Sequence, residues 1–177
     1  PTTKPTDVRV TAAEVFFLPV TMRVPLKFGP ETVTNAVCLR VRVTVADRSG
    51  KTAQGWGETP LSVSWVWPSN LSVAVRAQRM QDFSTLLAKR LLESGFTGHP
   101  MEIGQDFMHG PLAATLKEAN AAAGGDEMPY LGSLVAFSGF DIAVHDAYGV
   151  LHNRDIYSTY NEEFMSRDLS AFITPEE

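Results

Sequence analysis

The side chains able to do chemistry are few in this sequence, and they gather in three places. Asp141 and His145 stand four residues apart with His152 two turns further on, so on a helix the three share a face. A carboxylate and two imidazoles are metal ligands by type, but three donors along one helix surface serve more often as hydrogen-bonding groups, and no metal site is assigned to them. Asp146, in the same stretch, reads as a structural hydrogen-bonding group rather than a general acid or base. The other two places are segments marked as loops by Gly and Pro: residues 21–31 (TMRVPLKFGPE) and 55–68 (GWGETPLSVSWVWP). Both hold large apolar and charged groups that a merely connecting loop does not need. Trp65 and Trp67 admit two readings, as clasps between sheet and helices or as the lining of a ligand site or interface. There is no GxSxG, no Gly-rich phosphate loop, no HExxH and no CxxC, and Cys38 has no evident activating partner. No catalytic residue is assigned.

The elements that must position these groups follow from periodicity. From 36 to 46, Val37, Leu39, Val41, Val43 and Val45 alternate with Cys38, Arg40, Arg42 and Thr44, the period of a strand with one buried face. Over 8–20, Val8, Val10 and Ala12 share one parity and Val15 and Phe17 the other, which predicts either a bulge near Ala13–Glu14 or burial on both faces. Asp47-Arg48-Ser49-Gly50 is a turn, and 51–57 returns as a third strand. Beyond Pro68, Ser69 or Asn70 is placed to cap a helix whose Met80, Phe83, Leu87 and Leu91 recur at spacings of three and four and which Gly95 ends. Residues 101–123 read as a less regular helical stretch broken near Gly110-Pro111, and 130–151 as a last helix with Phe137, Phe140, Val144, Ala147, Tyr148 and Leu151 on one stripe. The expected fold class is α+β: a three-stranded antiparallel meander followed by a bundle of about three helices.

Composition narrows the function classes. In 177 residues, 44% are apolar and 20% charged, the profile of an ordinary globular chain. A single cysteine allows no internal bridge, which points to the cytoplasm, and no run of 18 apolar residues marks a membrane span. The net charge of −5 is uneven: residues 1–88 carry ten basic and six acidic side chains, residues 89–177 five and fourteen. That asymmetry favours an anionic ligand near the first half and is not a nucleic-acid footprint.

The order of meander, GWGETP, helix and SLVAFSGFDIAVHDAYGVLHNRDIY resembles the N-terminal capping domain of the enolase superfamily, in its mandelate racemase and muconate lactonising enzyme branch. The resemblance spans roughly residues 8–160. Its most specific part is Phe140-Asp141-Ile142-Ala143-Val144-His145-Asp146-Ala147 with Gly149 and Ile156-Tyr157 after it; Gly55-x-Gly57-Glu58 before Pro60 is a weaker match. The resemblance implies a capping domain over residues 1–154 and, over 155–177, an acidic tail or connection towards a (β/α)8 barrel. In that family the barrel, of about 250 residues, holds lysine bases and three acidic Mg2+ ligands. None of Lys4, Lys27, Lys51, Lys89 and Lys117 forms the family's Lys-x-Lys pair. The expectation is therefore a substrate-capping domain of an Mg2+-dependent isomerase or lyase that abstracts the proton α to a carboxylate, as racemase, dehydratase or cycloisomerase. By itself this segment is expected to be inactive, with neither catalytic nor metal-binding residues. In family terms the segments near 21–32 and 58–67 close the barrel mouth, Lys27 pairs with a distal anionic group, and Phe28, Trp65 and Trp67 shape the pocket wall. The implied partners are the C-terminal barrel of the same protein, a small carboxylate substrate and further copies in a homo-oligomer, with neither nucleic acid nor membrane. The alternative is a free-standing binding or protein-interaction module that has lost its barrel. It requires the face under the barrel to have become polar, whereas Trp65, Val66 and Trp67 are apolar.

Overall fold

The alternation in the second strand is realised as written: Leu39, Val41, Val43 and Val45 are wholly buried, while Arg40 and Arg42 stay on the solvent face and pair with Glu58 and Glu14. The computed structural model describes residues 3–29 and 31–173, with only the backbone of Phe28. It shows β1 (Val8–Phe28), β2 (Glu31–Asp47), β3 (Thr52–Pro60), a short α1 (Val63–Val66), α2 (Val73–Ser94) and a two-residue β4 (Thr97–Gly98). After these come α3 (Pro100–Phe107), a π-helical turn (Met108–Leu112), α4 (Ala113–Ala123), α5 (Tyr130–His152) and 3-10 turns at Ile156–Thr159 and Leu169–Ala171. The sheet order is β3-β2-β1-β4, with every pairing antiparallel. The α+β class and the meander stand; β4 is an addition too short to leave a period in the sequence.

Three expectations need correction. The bulge lies at Thr11, not near Ala13–Glu14: the register shifts between Val10 and Ala12, and the Thr11 hydroxyl donates to the Thr44 carbonyl at 3.1 Å. Val8 and Val10 pack on the core before the shift, and Ala13, Val15 and Phe17 after it, so the bulge keeps one buried face through an odd spacing. Residues 21–31 are not a loop: β1 runs on to Phe28 and β2 begins at Glu31, forming a hairpin arm beyond the last β2–β3 pair, Cys38 with Pro60. Within the arm Thr21 pairs with Asn35 and Leu26 with Val33, so residues 22–25 stand opposite Thr34 alone. Pro25, which has no N–H for a ladder, sits in that irregularity. Finally, α2 is capped by Ser72, whose hydroxyl accepts from the Val75 N–H; Ser69 and Asn70 are engaged by the Asp126 carboxylate instead.

GWGETP belongs to β3, and its glycines are there for packing. A Cβ on Gly55 would stand 2.1 Å from the Ala147 nitrogen, and one on Gly57 would stand 2.0 Å from the Gly139 carbonyl oxygen. Helix α5 therefore lies directly on β3, presenting Gly139, Ala143 and Ala147 to it. This helix is long and apolar enough to cross a bilayer, with mean hydropathy 1.3 over its most apolar window, but its large side chains, Phe137, Phe140, Tyr148 and Leu151, are buried in the core. Gly95 ends α2 at φ +63, as the spacing predicts, and the break expected at Gly110-Pro111 is the π turn.

The segment after α5 folds back on the domain. Phe164 and Met165 are buried, Glu102 Oε1 accepts the N–H groups of Ser166 and Arg167, and Arg167 makes a two-pronged pair with Asp106 at 2.8 and 2.6 Å. His99 caps α3 with Nδ1 accepting from the Met101 N–H, so Nε2 carries the proton and donates to Thr159 at 2.9 Å. Burial pushes the His99 pKa down to about 3, with His145 and His152 nearby adding to the effect.

Candidate functional site

The arm and the start of the helical layer enclose a cleft of about 810 Å3. On the arm side it is lined by Val20, Met22 and Leu26 of β1 and by Val33 and Val37 of β2; opposite stand Leu61, Val63 and Trp65, with Val73 and Ala77 of α2. Its position follows from the meander: β3 ends at Pro60, so the chain turns into α1 beside the arm, where the sheet is only two strands wide.

One buried ion pair fixes the two sides together. Arg76 is 2% exposed, donates from Nη1 to the Trp67 carbonyl at 2.5 Å and from Nη2 to Glu31 Oε1 at 2.8 Å. The Ser64 hydroxyl, followed by Arg76, holds the Glu31 carboxyl below the usual carboxylate range. Glu31 begins β2, Ser64 lies in α1 and Arg76 in α2, so three elements meet at one carboxylate. Glu31 falls in the segment singled out for its charged groups, but neither it nor Arg76 stands among the expected site residues. A signal exists for Arg76: read back four residues from Met80, the buried stripe of α2 falls on it.

Of the four residues expected to contact substrate, the structure brings Trp65 to the cleft, where it is 53% exposed. Trp67 is 1% exposed and belongs to the core; its indole borders a separate cavity of about 290 Å3 between α2 and α4. The even spacing of the two tryptophans hid this split, because α1 turns Trp65 outward and the residue that follows the helix, Trp67, points inward. Lys27 is exposed on the arm and does not line the cleft. The Phe28 side chain lies outside the described residues.

The helix residues weighed as metal ligands are otherwise engaged. His145 Nδ1 donates to the Asp141 carbonyl at 2.8 Å, and His152 Nε2 donates to the Thr6 carbonyl at 3.0 Å. Burial raises the Asp141 pKa, partly offset by His145. No group of three or more His, Cys, Asp or Glu side chains converges among the described residues, so these residues do not fit a magnesium centre. Asp146 accepts the Trp56 N–H at 2.8 Å, securing the outer edge of β3.

No family model matches this sequence, and neither does any curated protein sequence. Solved structures do. A substrate-liganded L-Ala-D/L-Glu epimerase from Bacillus subtilis matches with TM-score 0.50 and 17% identity, over 87% of this chain and 35% of that one. L-talarate/galactarate dehydratase from Salmonella typhimurium LT2 gives 0.47 and 16%, over 86% and 33%. A mandelate racemase/muconate lactonizing protein from Herpetosiphon aurantiacus gives 0.36 and 13%, over 84% and 32%. The chain shares the fold of part of the epimerase, and it spans about a third of the length of these proteins.

Proposed function

We propose that this chain is the substrate-capping domain of an Mg2+-dependent enolase-superfamily enzyme that removes the proton α to a carboxylate, as racemase, epimerase, dehydratase or cycloisomerase. The observation that carries the reading is the cleft: in a domain of the capping fold, an apolar recess opens between the hairpin arm and α1, bordered by side chains left in water. Val20, Leu26, Trp65 and Val73 are all exposed, a concentration of apolar surface that marks an interaction site. An α-proton is too weakly acidic for a side-chain base unless the developing oxyanion is stabilised. The described residues offer no metal site, so base and metal belong to a barrel joined to this domain. This chain's residues exclude water and select the substrate. Trp65 supplies pocket wall. The Arg76–Glu31 pair sets the arm's distance from α1, and Trp67 anchors α1 to the core. Lys27 and Phe28, near the arm's tip, are kept as contacts to substrate or barrel at that end.

The test is made on the protein in which this domain is joined to its barrel. With Mg2+ in deuterium oxide, we expect deuterium to enter the carbon α to the carboxylate of a cognate acid, read by proton NMR. Absence of exchange across a broad panel of carboxylates overturns the proposal. In the same protein Trp65→Ala should leave Mg2+ affinity unchanged and lower kcat/KM unequally between substrates; an unchanged kcat/KM across several substrates would make Trp65 scaffold.

A further inference from the structure

We infer that the cleft takes a hydrocarbon group, so that the acid this domain covers is a monocarboxylate with an apolar alkyl or aryl tail remote from the reacting carbon. The inference rests on the capping reading for the word substrate, and on the cleft alone for the chemistry of its occupant.

Volume comes first. At about 810 Å3 the cleft lies within the range that buries a drug-sized ligand. The cavity beside Trp67, at about 290 Å3, is marginal. Lining comes second: both walls present aliphatic side chains, Val20 and Leu26 from the arm and Val63 and Val73 facing them, with Trp65 at the side. Charge decides the rest. Among the described residues no lysine or arginine lines the cleft, and the one charged lining residue is Glu31, an anion already held by Arg76 and Ser64. Arg76 is sealed beneath and is out of a ligand's reach. Much of the neutral polar capacity is also spent locally, Asn35 donating to Thr34, and Ser62 to the Pro60 carbonyl. A second carboxylate entering here would give up its hydration, meet no cation and face Glu31. A hydrocarbon tail loses nothing by entering and releases the water over Trp65 and the valines.

The experiment uses the 177-residue chain labelled with 15N, titrated with straight-chain monocarboxylates from butanoate to octanoate, with 1-alkanols, with octanedioate and with glucarate. We expect affinity to rise about fourfold per methylene, the free energy of burying one CH2, for monoacids and alkanols alike. Shifts should be confined to the amides of Val20, Leu26 and Val73 and to the Trp65 indole. Octanedioate should bind at least tenfold more weakly than octanoate. Val73→Asp places a carboxylate in the cleft at the first turn of α2, where the helix dipole tolerates it; it should weaken octanoate at least tenfold with an unchanged circular dichroism spectrum and unfolding midpoint. Equal or tighter binding of octanedioate or glucarate, absence of chain-length dependence, or shifts centred on Trp67 would each overturn the inference, leaving the capping reading to its deuterium-exchange test. The opposite pattern, tail binding here without exchange in the barrel-joined protein, upholds a hydrocarbon occupant for the cleft and overturns the capping reading.

Discussion

Arg76 and His99 show how a charged or chargeable side chain survives in this core. Arg76 is paired with the Glu31 carboxylate and hydrogen-bonded to the Trp67 carbonyl, so removing its counter-ion is not equivalent to removing the arginine. In Glu31→Ala the guanidinium stays buried without its counter-ion, and we expect a loss of about 1.5–3 kcal/mol, the scale of a hydrogen bond to a charged group. Arg76→Met fills much of the same space and leaves Glu31 free to take water, so it should cost less than Glu31→Ala. Urea denaturation of the two variants checks the order; the reverse order would mean that the pair is not what holds the arm. His99 is held neutral, its pKa near 3 against an ordinary 6.5. Between those values the unfolded chain binds a proton that the folded chain refuses, so stability is lost as pH falls through this window, by up to about 1.4 kcal/mol per pH unit. His99→Asn keeps a capping side chain and removes the titration. Its stability relative to wild type should therefore improve steadily from pH 6.5 to 4.5 in paired urea titrations.

Two elements are defined by what they lack. Helix α5 reaches β3 because Gly55 and Gly57 offer no Cβ, and the atoms such a Cβ would meet are backbone of α5, which no rotamer change can move. Gly55→Ala and Gly57→Ala should each cost about 3 kcal/mol, at the upper end of overpacking, whereas Gly95→Ala at a left-handed helix end should cost about 1 kcal/mol. Thermal unfolding of the three variants would show the contrast; equal losses would mean that β3 and α5 are not in close register. In α1 and at its end the two tryptophans separate by the same logic of placement. Trp67→Ala should lose about 3–5 kcal/mol, as for a large core side chain. Trp65→Ala should change stability by no more than about 0.5 kcal/mol, the range of exposed positions.

At the scale of the whole molecule, the sheet and α5 form a body from which the β1–β2 arm projects, and the cleft lies between that arm and the helical layer. The body is stabilised independently of the arm, through the buried valines of β2 and the aromatic residues of α5. The arm depends on the Arg76–Glu31 contact and on whatever its apolar face meets. Calorimetry on the 177-residue chain should detect no tight Mg2+ binding, because no converging set of ligands exists among its described residues. A submicromolar site would require a ligand set that the described residues do not assemble.

What the sequence determined by itself is local. Alternation in β2, the turn at residues 47–50, the left-handed Gly95 and the stripe of α5 each depend on side chains within a few residues of one another, so period and turn chemistry state them outright. The FDIAVHDA run and GWGETP carried the fold class, although the reason for the glycines, an approach of two backbones from distant parts of the chain, is invisible until α5 is placed on β3. Only the tertiary structure decided the site. Residues 21–31 carry the Gly and Pro of a loop, yet cross-strand pairing draws them into an arm. Trp65 and Trp67 look alike in sequence and part company because α1 faces the cleft on one side and the core on the other. Glu31 and Arg76 are 45 residues apart, and nothing short of the folded chain brings a carboxylate at the start of a strand onto the guanidinium of a helix. Long-range pairing costs chain entropy that local pattern does not record, and that is why the elements were legible and the cleft between them was not.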